Sequence, residues 1–87
     1  MNEITPALQI LSYVAQLSPT GEKLTRKRIQ HDLGIEKSVF DGTLSELEKV
    51  KWIKYKWISE EGALSKSYSP SHKGEEVLRL CDLPPYG

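Results

Sequence analysis

The fold of this chain is decided by the stretch Leu33-Gly-Ile-Glu-Lys-Ser-Val-Phe-Asp-Gly-Thr-Leu-Ser-Glu-Leu-Glu-Lys-Val-Lys-Trp-Ile53. It begins with the end of one predicted helix and with Gly34, which can take the left-handed conformation that stops a helix. The next helix is expected to carry Phe40, Leu44 and Leu47 at spacings of four and three, which gives one apolar stripe. The stretch ends where an alternating, strand-like run begins. These residues alone predict the order helix, turn, helix and strand.

Length and composition are those of one small globular domain. The chain has 87 residues, of which 38% are apolar and 28% are charged, and such values suit a single small core. We predict one domain over residues 1–87, with a core at about 6–82 and an extended tail at 83–87. No apolar run approaches the roughly 20 residues of a membrane helix, and the N-terminus lacks a signal-peptide pattern. We therefore expect a cytoplasmic location and no membrane partner.

Positive and negative charges balance in this sequence. Lys and Arg together number 12, as do Asp and Glu, so the formal net charge is zero. Domains that bind nucleic acid are usually basic, because neutralising phosphates supplies much of their affinity. The net charge therefore counts mildly against a nucleic-acid partner, and the clustering of the positive charges matters more.

Two helices are predicted before the deciding stretch. Thr5-Pro6 is a helix start, with threonine as the cap and proline at the first helical position, and Ser18-Pro19 is the expected end. Lys23-Leu24 could form a very short strand. Thr25 is then expected to cap the second helix.

The first turn of that second helix is basic. Arg26, Lys27 and Arg28 oppose the helix dipole there, at a cost of roughly a few tenths of a kcal/mol each. A phosphate bound at the turn would reverse the sign of this effect. The alternative interpretation is a solvated basic patch beside Glu22 and Asp32.

A hairpin and a last helix are predicted for the remainder of the chain. The run Trp52-Ile-Lys-Tyr-Lys-Trp-Ile58 alternates bulky apolar residues with lysine, as strands do. Gly62 marks a turn, and Lys66-Ser-Tyr-Ser69 can return as the partner strand. Ser71 is expected to cap a last helix that continues to Leu80.

No catalytic or metal-binding constellation is present in the sequence. His31 and His72 are far apart, and neither has the cysteine pair or acid cluster that would complete a metal site. Cys81 has the character of a small core or interface residue rather than of a nucleophile, and no glycine-rich phosphate loop occurs. We therefore expect no enzymatic activity and no cofactor.

The order of these elements resembles the winged helix-turn-helix domain of small prokaryotic transcription regulators of the MarR, PadR and ArsR kind. The resemblance covers the chain from about Pro6 to Leu80 and rests on two segments. The first holds Lys23-Leu-Thr, Ile29, Leu33-Gly-Ile, Leu44, Leu47-Glu and Trp52-Ile53, and the second is Tyr68-Ser-Pro-Ser-His-Lys-Gly-Glu-Glu-Val-Leu78. It implies an α+β, mainly α winged helix, in which a three-helix bundle is followed by a β-hairpin wing and a final helix.

By this resemblance, the helix at about 37–51 would lie in the major groove of DNA, and the wing would hold the DNA backbone. Lys37 and Ser38 suit a guanine edge or a phosphate, and Gly42 would let the backbone approach DNA closely. Asp41 could accept from a cytosine amine but would repel phosphates. The candidate DNA-binding residues are Arg26, Lys27, Arg28, Lys37, Ser38, Asp41, Gly42, Ser45, Lys49, Lys54, Lys56 and Lys66.

Two functions from different classes follow as hypotheses. The first is a DNA-binding transcription regulator with double-stranded DNA as its partner and a possible homodimer through the first helix, the last helix or the tail. The second is a winged-helix module for protein-protein contacts, an adaptor in a transcription, replication, viral or plasmid assembly. The acidic pair Glu60-Glu61 at the hairpin tip and the absence of arginine from the helix at 37–51 favour the second.

Aromatic exposure and surface charge would separate the two hypotheses. Exposed Trp52, Trp57 or Tyr86 would anchor a protein partner, although both tryptophans could instead close the small core. A continuous positive band from the basic turn of the second helix across Lys37 to Lys54 would favour DNA, and a broken band would favour protein.

Overall fold

Four α-helices and a two-stranded antiparallel sheet form the described part of the chain, residues 5–81, in a computed structural model. In chain order the elements are α1 (Pro6–Leu17), a 3₁₀ helix (Ser18–Thr20), α2 (Arg26–Leu33), α3 (Lys37–Lys49), β1 (Ile53–Glu60), β2 (Ala63–Pro70) and α4 (His72–Cys81). The predicted α+β, mainly helical class is confirmed. None of the described helices is long and apolar enough to span a membrane. The tail predicted at 83–87 lies outside the described residues.

Three helices begin beside the residues predicted to cap them. The hydroxyl of Thr5 accepts a hydrogen bond from an amide in the first turn of α1 at 3.3 Å. The hydroxyl of Thr25 accepts from the amide of Arg28, also at 3.3 Å. The hydroxyl of Ser71 accepts from the amide of Gly74 at 3.0 Å. Each bond satisfies an amide that a helix leaves free at its start.

A glycine turn joins α2 to α3, as predicted. Gly34 has φ of 65°, and its N–H donates to a carbonyl in the last turn of α2 at 2.9 Å. The predicted end of α3 at residue 51 is wrong, because the helix ends at Lys49. Lys51 adopts φ of 63°, and the amide of Trp52 turns back to the carbonyl of Leu47 at 3.0 Å. This tight reversal brings β1 in directly after the helix.

The core fills the space between the helices and the base of the hairpin. Its buried apolar side chains are Ile10, Leu11, Tyr13, Val14, Leu24, Ile29, Phe40, Leu44, Leu47, Ile53 and Tyr68. They form one cluster, and the stripe predicted for α3 is part of it. Each such side chain contributes about 1.5–3 kcal/mol by leaving water, so this cluster holds α3 in a fixed orientation.

A two-residue turn closes the hairpin at the position predicted from Gly62. Glu61 and Gly62 both have positive φ, 53° and 80°, which is the turn geometry that matches the twist of the flanking strands. The register pairs Tyr55 with Tyr68 and Trp57 with Lys66. Side chains two residues apart therefore share a face, and Lys54 and Lys56 lie on the face opposite to Tyr55 and Trp57.

The short strand predicted at Lys23-Leu24 is wrong. The carbonyl of Leu24 accepts from the amide of Tyr68 at 2.9 Å, but its amide donates to the hydroxyl of Ser67 at 3.2 Å. A serine side chain thus takes the place of the second main-chain bond that a strand would need. The contact still holds the chain before α2 against the outer edge of β2.

α4 is held closely against the corner between α3 and β1. The hydroxyl of Ser71 donates to the carbonyl of Lys51 at 2.6 Å, and the amide of Ser71 donates to the carbonyl of Trp52 at 3.0 Å. A Cβ added to Gly74 would lie 2.0 Å from the same Trp52 oxygen. Glycine is therefore required for this approach.

The two tryptophans have different environments. Trp52 packs partly buried against the core, whereas Trp57 is 59% exposed. The interpretation that both tryptophans close the core is wrong for Trp57, because β1 is exposed along most of its length after Ile53. Cys81 is exposed on α4, so of the two roles predicted for it, core or interface residue, the core role is wrong.

Candidate functional site

One polar row of α3 faces away from the buried stripe. Ser38, Gly42, Ser45 and Lys49 follow at spacings of four, three and four, which places them on one side of a helix, and all four are exposed. We call these four residues the α3 row. A Cβ at Gly42 would meet nothing within 4 Å, and the hydroxyl of Ser38 donates to the carboxylate of Glu36 at 2.8 Å. The row presents the hydroxyls of the two serines, the amine of Lys49 and, at Gly42, backbone without a side chain. None of its members is acidic.

Asp41 lies on the flank of α3 that faces α2, beside the α3 row. Its Oδ1 accepts from Nη2 of Arg26 at 2.6 Å, and its Oδ2 accepts from Nζ of Lys37 at 2.9 Å. The hydrogen bond from Lys37, followed by that from Arg26, lowers the pKa of Asp41 below its usual value. Each oxygen already accepts one hydrogen bond, so a cytosine amine would have to share the Asp41 carboxylate with Arg26 and Lys37.

Arg28 is held by carboxylates on the opposite side of α2. Its guanidinium donates to Glu22, and its Nε lies 3.7 Å from Oδ2 of Asp32. The hydroxyl of Tyr13 on α1 donates to the same Asp32 carboxylate. Burial and this bond raise the pKa of Tyr13 to about 12. Arg28 therefore fits the alternative interpretation of the basic turn, in which it belongs to a solvated patch beside Glu22 and Asp32.

Lys66 lies on the hairpin face that carries the aromatic rings. Its Nζ is 3.5 Å from Oε1 of Glu48 on α3, 4.2 Å from the ring centre of Tyr55 and 5.8 Å from that of Trp57. The predicted wing cations therefore separate, because Lys54 and Lys56 project from the other face of the same hairpin.

Four of the candidate cations have no carboxylate partner. Among residues 5–81, no Asp or Glu oxygen lies within 4.0 Å of the amine in Lys27, Lys49, Lys54 or Lys56. The band from α2 across Lys37 to Lys54 is broken, since Asp41 stands between Arg26 and Lys37. A broken band is the pattern expected for a protein partner, whereas the four lysines that have no carboxylate partner within residues 5–81 remain available to an anion.

An exposed aromatic face on the hairpin was only partly anticipated. Tyr55 is 43% exposed, Trp57 is 59% exposed and Leu64 is 71% exposed. The rings of Tyr55 and Trp57 meet edge to face, with their centres 5.8 Å apart. The period-two pattern of the sequence places the two rings on one face, but it carries no signal for where the strand leaves the core. Tyr55 and Leu64 were therefore missed as candidate contacts.

The histidines of the described chain do not form a metal site. Within residues 5–81, no three His, Cys, Asp or Glu side chains come together in a position to hold a metal ion. Nδ1 of His31 lies 3.4 Å from Oδ1 of Asp32, and His72 begins α4.

Comparison with known proteins identifies structural neighbours and no family. No family model matches the chain, and no curated protein matches it. The chain is similar to AF1382 from Archaeoglobus fulgidus, with a TM-score of 0.69, 17% identity and coverage of 88% of this chain and 80% of that one. It is also similar to smu.1704 from Streptococcus mutans UA159, with a TM-score of 0.71, 19% identity and coverage of 93% of this chain and 78% of that one. At these identities the likeness shows a common fold.

Proposed function

We propose that this chain is a winged helix-turn-helix protein that binds duplex DNA and regulates transcription. In this proposal α2, the turn at Gly34 and α3 form the helix-turn-helix, and the β1–β2 hairpin is the wing. The observation that carries the proposal is the α3 row, an exposed helix face of small polar residues opposite a fully packed face. A helix with such a face fits the major groove, which is about 12 Å wide.

The α3 row would read the groove. The hydroxyls of Ser38 and Ser45 can donate to or accept from base edges, and the amine of Lys49 can donate to a guanine or to a phosphate. Gly42 adds no side chain, so the backbone between the two serines can lie close to the bases. With two hydroxyls and no arginine, this row would give modest discrimination between sequences.

The unpaired lysines would hold the DNA backbone. Lys27, Lys54 and Lys56 can each neutralise a phosphate without giving up an ion pair within the described chain. Arg26 and Arg28 already donate to carboxylates, so a phosphate would have to compete with Asp41 or Glu22 for them. The lysines therefore carry most of the proposed backbone contacts.

A homodimer would let the protein bind a palindromic site with half-sites about one helical turn apart. α4 offers the surface for it in the described chain, because Leu80 is 80% exposed and Cys81 is exposed. Sedimentation of the parent against Leu80→Asp tests this contact. A parent that stays monomeric at the concentrations of DNA binding would contradict the dimer.

A protein-binding adaptor is the second candidate function. The broken positive band and the exposed Trp57 favour it, since aromatic residues dominate interface hot spots. Under this alternative the α3 row would have no part in recognition, and duplex binding would be absent at low salt.

Binding to a random pool of DNA duplexes at two salt concentrations tests the DNA proposal. The variant is Lys27→Ala/Lys49→Ala, and the control is Lys73→Ala on α4. We expect the parent to enrich a motif and the double variant to reduce the slope of log affinity against log salt by about 2. The control should match the parent. The absence of binding above background at low salt would contradict DNA binding and leave the adaptor as the function.

A further inference from the structure

The outer half of the hairpin and the first turn of α2 form the walls of one shallow groove of about 420 Å³. Trp57 and Leu64 line it from the hairpin, and Arg26 and Lys27 line it from α2. The duplex-binding proposal shares Lys27 with this groove but makes no use of Trp57 or Leu64, because its central contacts lie on the α3 row.

Trp57 is the aromatic residue that lines the groove, and Tyr55 packs against it on the same strand face. Tyr55 and Trp57 lie two residues apart on one strand face, about 7 Å along the strand. Their rings are nearly perpendicular, at 86°, so the edge of one ring packs against the face of the other. Trp57 is 59% exposed, although burying a tryptophan would stabilise a small domain by several kcal/mol, of the order of 3. An exposed flat ring of this kind is the surface on which a nucleobase stacks.

The charge around the rings is complementary to phosphate. Among residues 5–81, Arg26, Lys27 and Lys66 line the groove as cations and Glu60 lines it as a carboxylate. Arg26 and Lys66 are also paired with Asp41 and Glu48, so a phosphate would compete with these carboxylates for them. Nζ of Lys66 lies within 6 Å of both ring centres, at 4.2 and 5.8 Å.

We propose that this groove binds single-stranded DNA, with one unpaired base stacked on Trp57 and the adjoining phosphates held by Lys27 and Lys66. Stacking on an aromatic ring tolerates any base, so this contact adds affinity without sequence preference. Lys27 has no carboxylate partner among residues 5–81, so a purely apolar partner would bury its charge unpaired, whereas a phosphate would neutralise it. The site lies apart from the α3 row and stands or falls independently of it.

The test uses a 12-nucleotide oligo(dT) carrying a fluorescent label, with binding followed by anisotropy at low salt. Trp57→Leu keeps an apolar side chain and removes the π surface, and Trp57→Phe keeps a smaller ring as the matched control. Circular dichroism checks that both variants are folded, as expected for an exposed position. A blunt duplex is titrated in parallel with every protein.

We expect the parent to bind oligo(dT) and Trp57→Leu to bind it about tenfold more weakly. Trp57→Phe should stay within about threefold of the parent, and all three proteins should bind the duplex alike. Equal oligo(dT) binding by the parent and Trp57→Leu, or no binding by the parent, would overturn the proposal. Loss of self-association in Trp57→Leu without any oligo(dT) binding would identify the face as a contact between copies instead. Failure of the duplex titration alone would overturn the proposed regulator function and leave this groove standing.

Discussion

The effect on stability of replacing a helical glycine depends on the atoms around its missing Cβ, and Gly74 and Gly42 differ in this respect. A Cβ at Gly74 would lie 2.0 Å from the carbonyl oxygen of Trp52 and 3.0 Å from a methyl of Leu11, whereas one at Gly42 would meet nothing within 4 Å. The first contact is with backbone, so α4 must shift to relieve it.

We predict that Gly74→Ala lowers the free energy of unfolding by about 3 kcal/mol through overpacking. Gly42→Ala serves as the control and should raise it by roughly 0.5–1 kcal/mol, because alanine is the better helix former in open space. Urea denaturation measures both. A Gly74→Ala protein as stable as the parent would show that α4 does not approach β1 as closely as described.

Two buried tyrosines differ in the hydrogen bonding of their hydroxyl groups. The hydroxyl of Tyr13 donates to Asp32, whereas the buried hydroxyl of Tyr68 makes no hydrogen bond of normal geometry to any residue at 5–81 and has the guanidinium of Arg26 near it. We predict that Tyr13→Phe destabilises the fold by about 1 kcal/mol and that Tyr68→Phe is neutral or stabilising by up to about 1 kcal/mol. Thermal unfolding of the two variants side by side makes the comparison, and the opposite order of stability would refute it.

At the scale of elements, the turn between α2 and α3 depends on one left-handed residue. Gly34 has φ of 65° and no atom near its missing Cβ, so the cost of a side chain there is conformational alone. We predict a loss of about 1 kcal/mol for Gly34→Ala and a smaller loss for Gly34→Asn, since asparagine tolerates this region better. Chemical denaturation of both variants gives the ranking. Equal stabilities would mean that the turn relaxes to another conformation.

The ion pairs of Asp41 join α2 to α3 in a pH-dependent way. Because hydrogen bonds from Lys37 and Arg26 lower the pKa of Asp41 in the folded chain, its contribution to stability is present above the unfolded value of about 4. That contribution disappears as the pH falls through the lowered pKa.

We predict that Asp41→Asn is less stable than the parent at neutral pH and that the difference between them shrinks below about pH 4. Urea denaturation from neutral to strongly acidic pH measures this difference. Asp32, whose pKa is also lowered, mainly by its bond from Tyr13, stays intact in both proteins and acts as the internal reference. A difference that does not change with pH would assign the effect of Asp41 to packing.

Local signals account for the elements that sequence predicted correctly. Caps at Thr5, Thr25 and Ser71, the left-handed Gly34 and the turn at Gly62 all act within a few residues, and each was found where its neighbours placed it. The apolar stripe of α3 was equally local, because a helix period alone defines it.

Contacts between residues far apart in the sequence could not be predicted from local sequence patterns. Asp41 pairs with Arg26 only because the fold brings the start of α2 beside α3, and the exposure of Trp57 depends on how far β1 runs past the core. The bond between Leu24 and Ser67 joins residues 43 positions apart. No spacing of residues in the sequence indicates these contacts. The residues of the candidate site could therefore be predicted from the sequence, whereas the ion pairs among them could not.

For the whole molecule, the net charge is zero, so its affinity for DNA depends on where each charge lies. Asp41 holds two of the cations nearest the α3 row. We predict that Asp41→Asn raises duplex affinity several-fold at low salt, with a gain that fades as salt screens the charges. Glu75→Gln on α4 makes the same change of charge elsewhere and is the control. Equal gains in the two variants would show that total charge, rather than this site, governs binding.

In the proposed function the α3 row lies against DNA. The most direct measurement is a titration of the isotope-labelled protein with an enriched duplex, followed by backbone amide shifts in NMR spectra. Our account predicts that the largest shifts fall at Ser38, Gly42, Ser45 and Lys49, with smaller shifts on the hairpin and almost none on α1. Shifts confined to α1 and α4, or spectra unchanged by DNA at low salt, would contradict it.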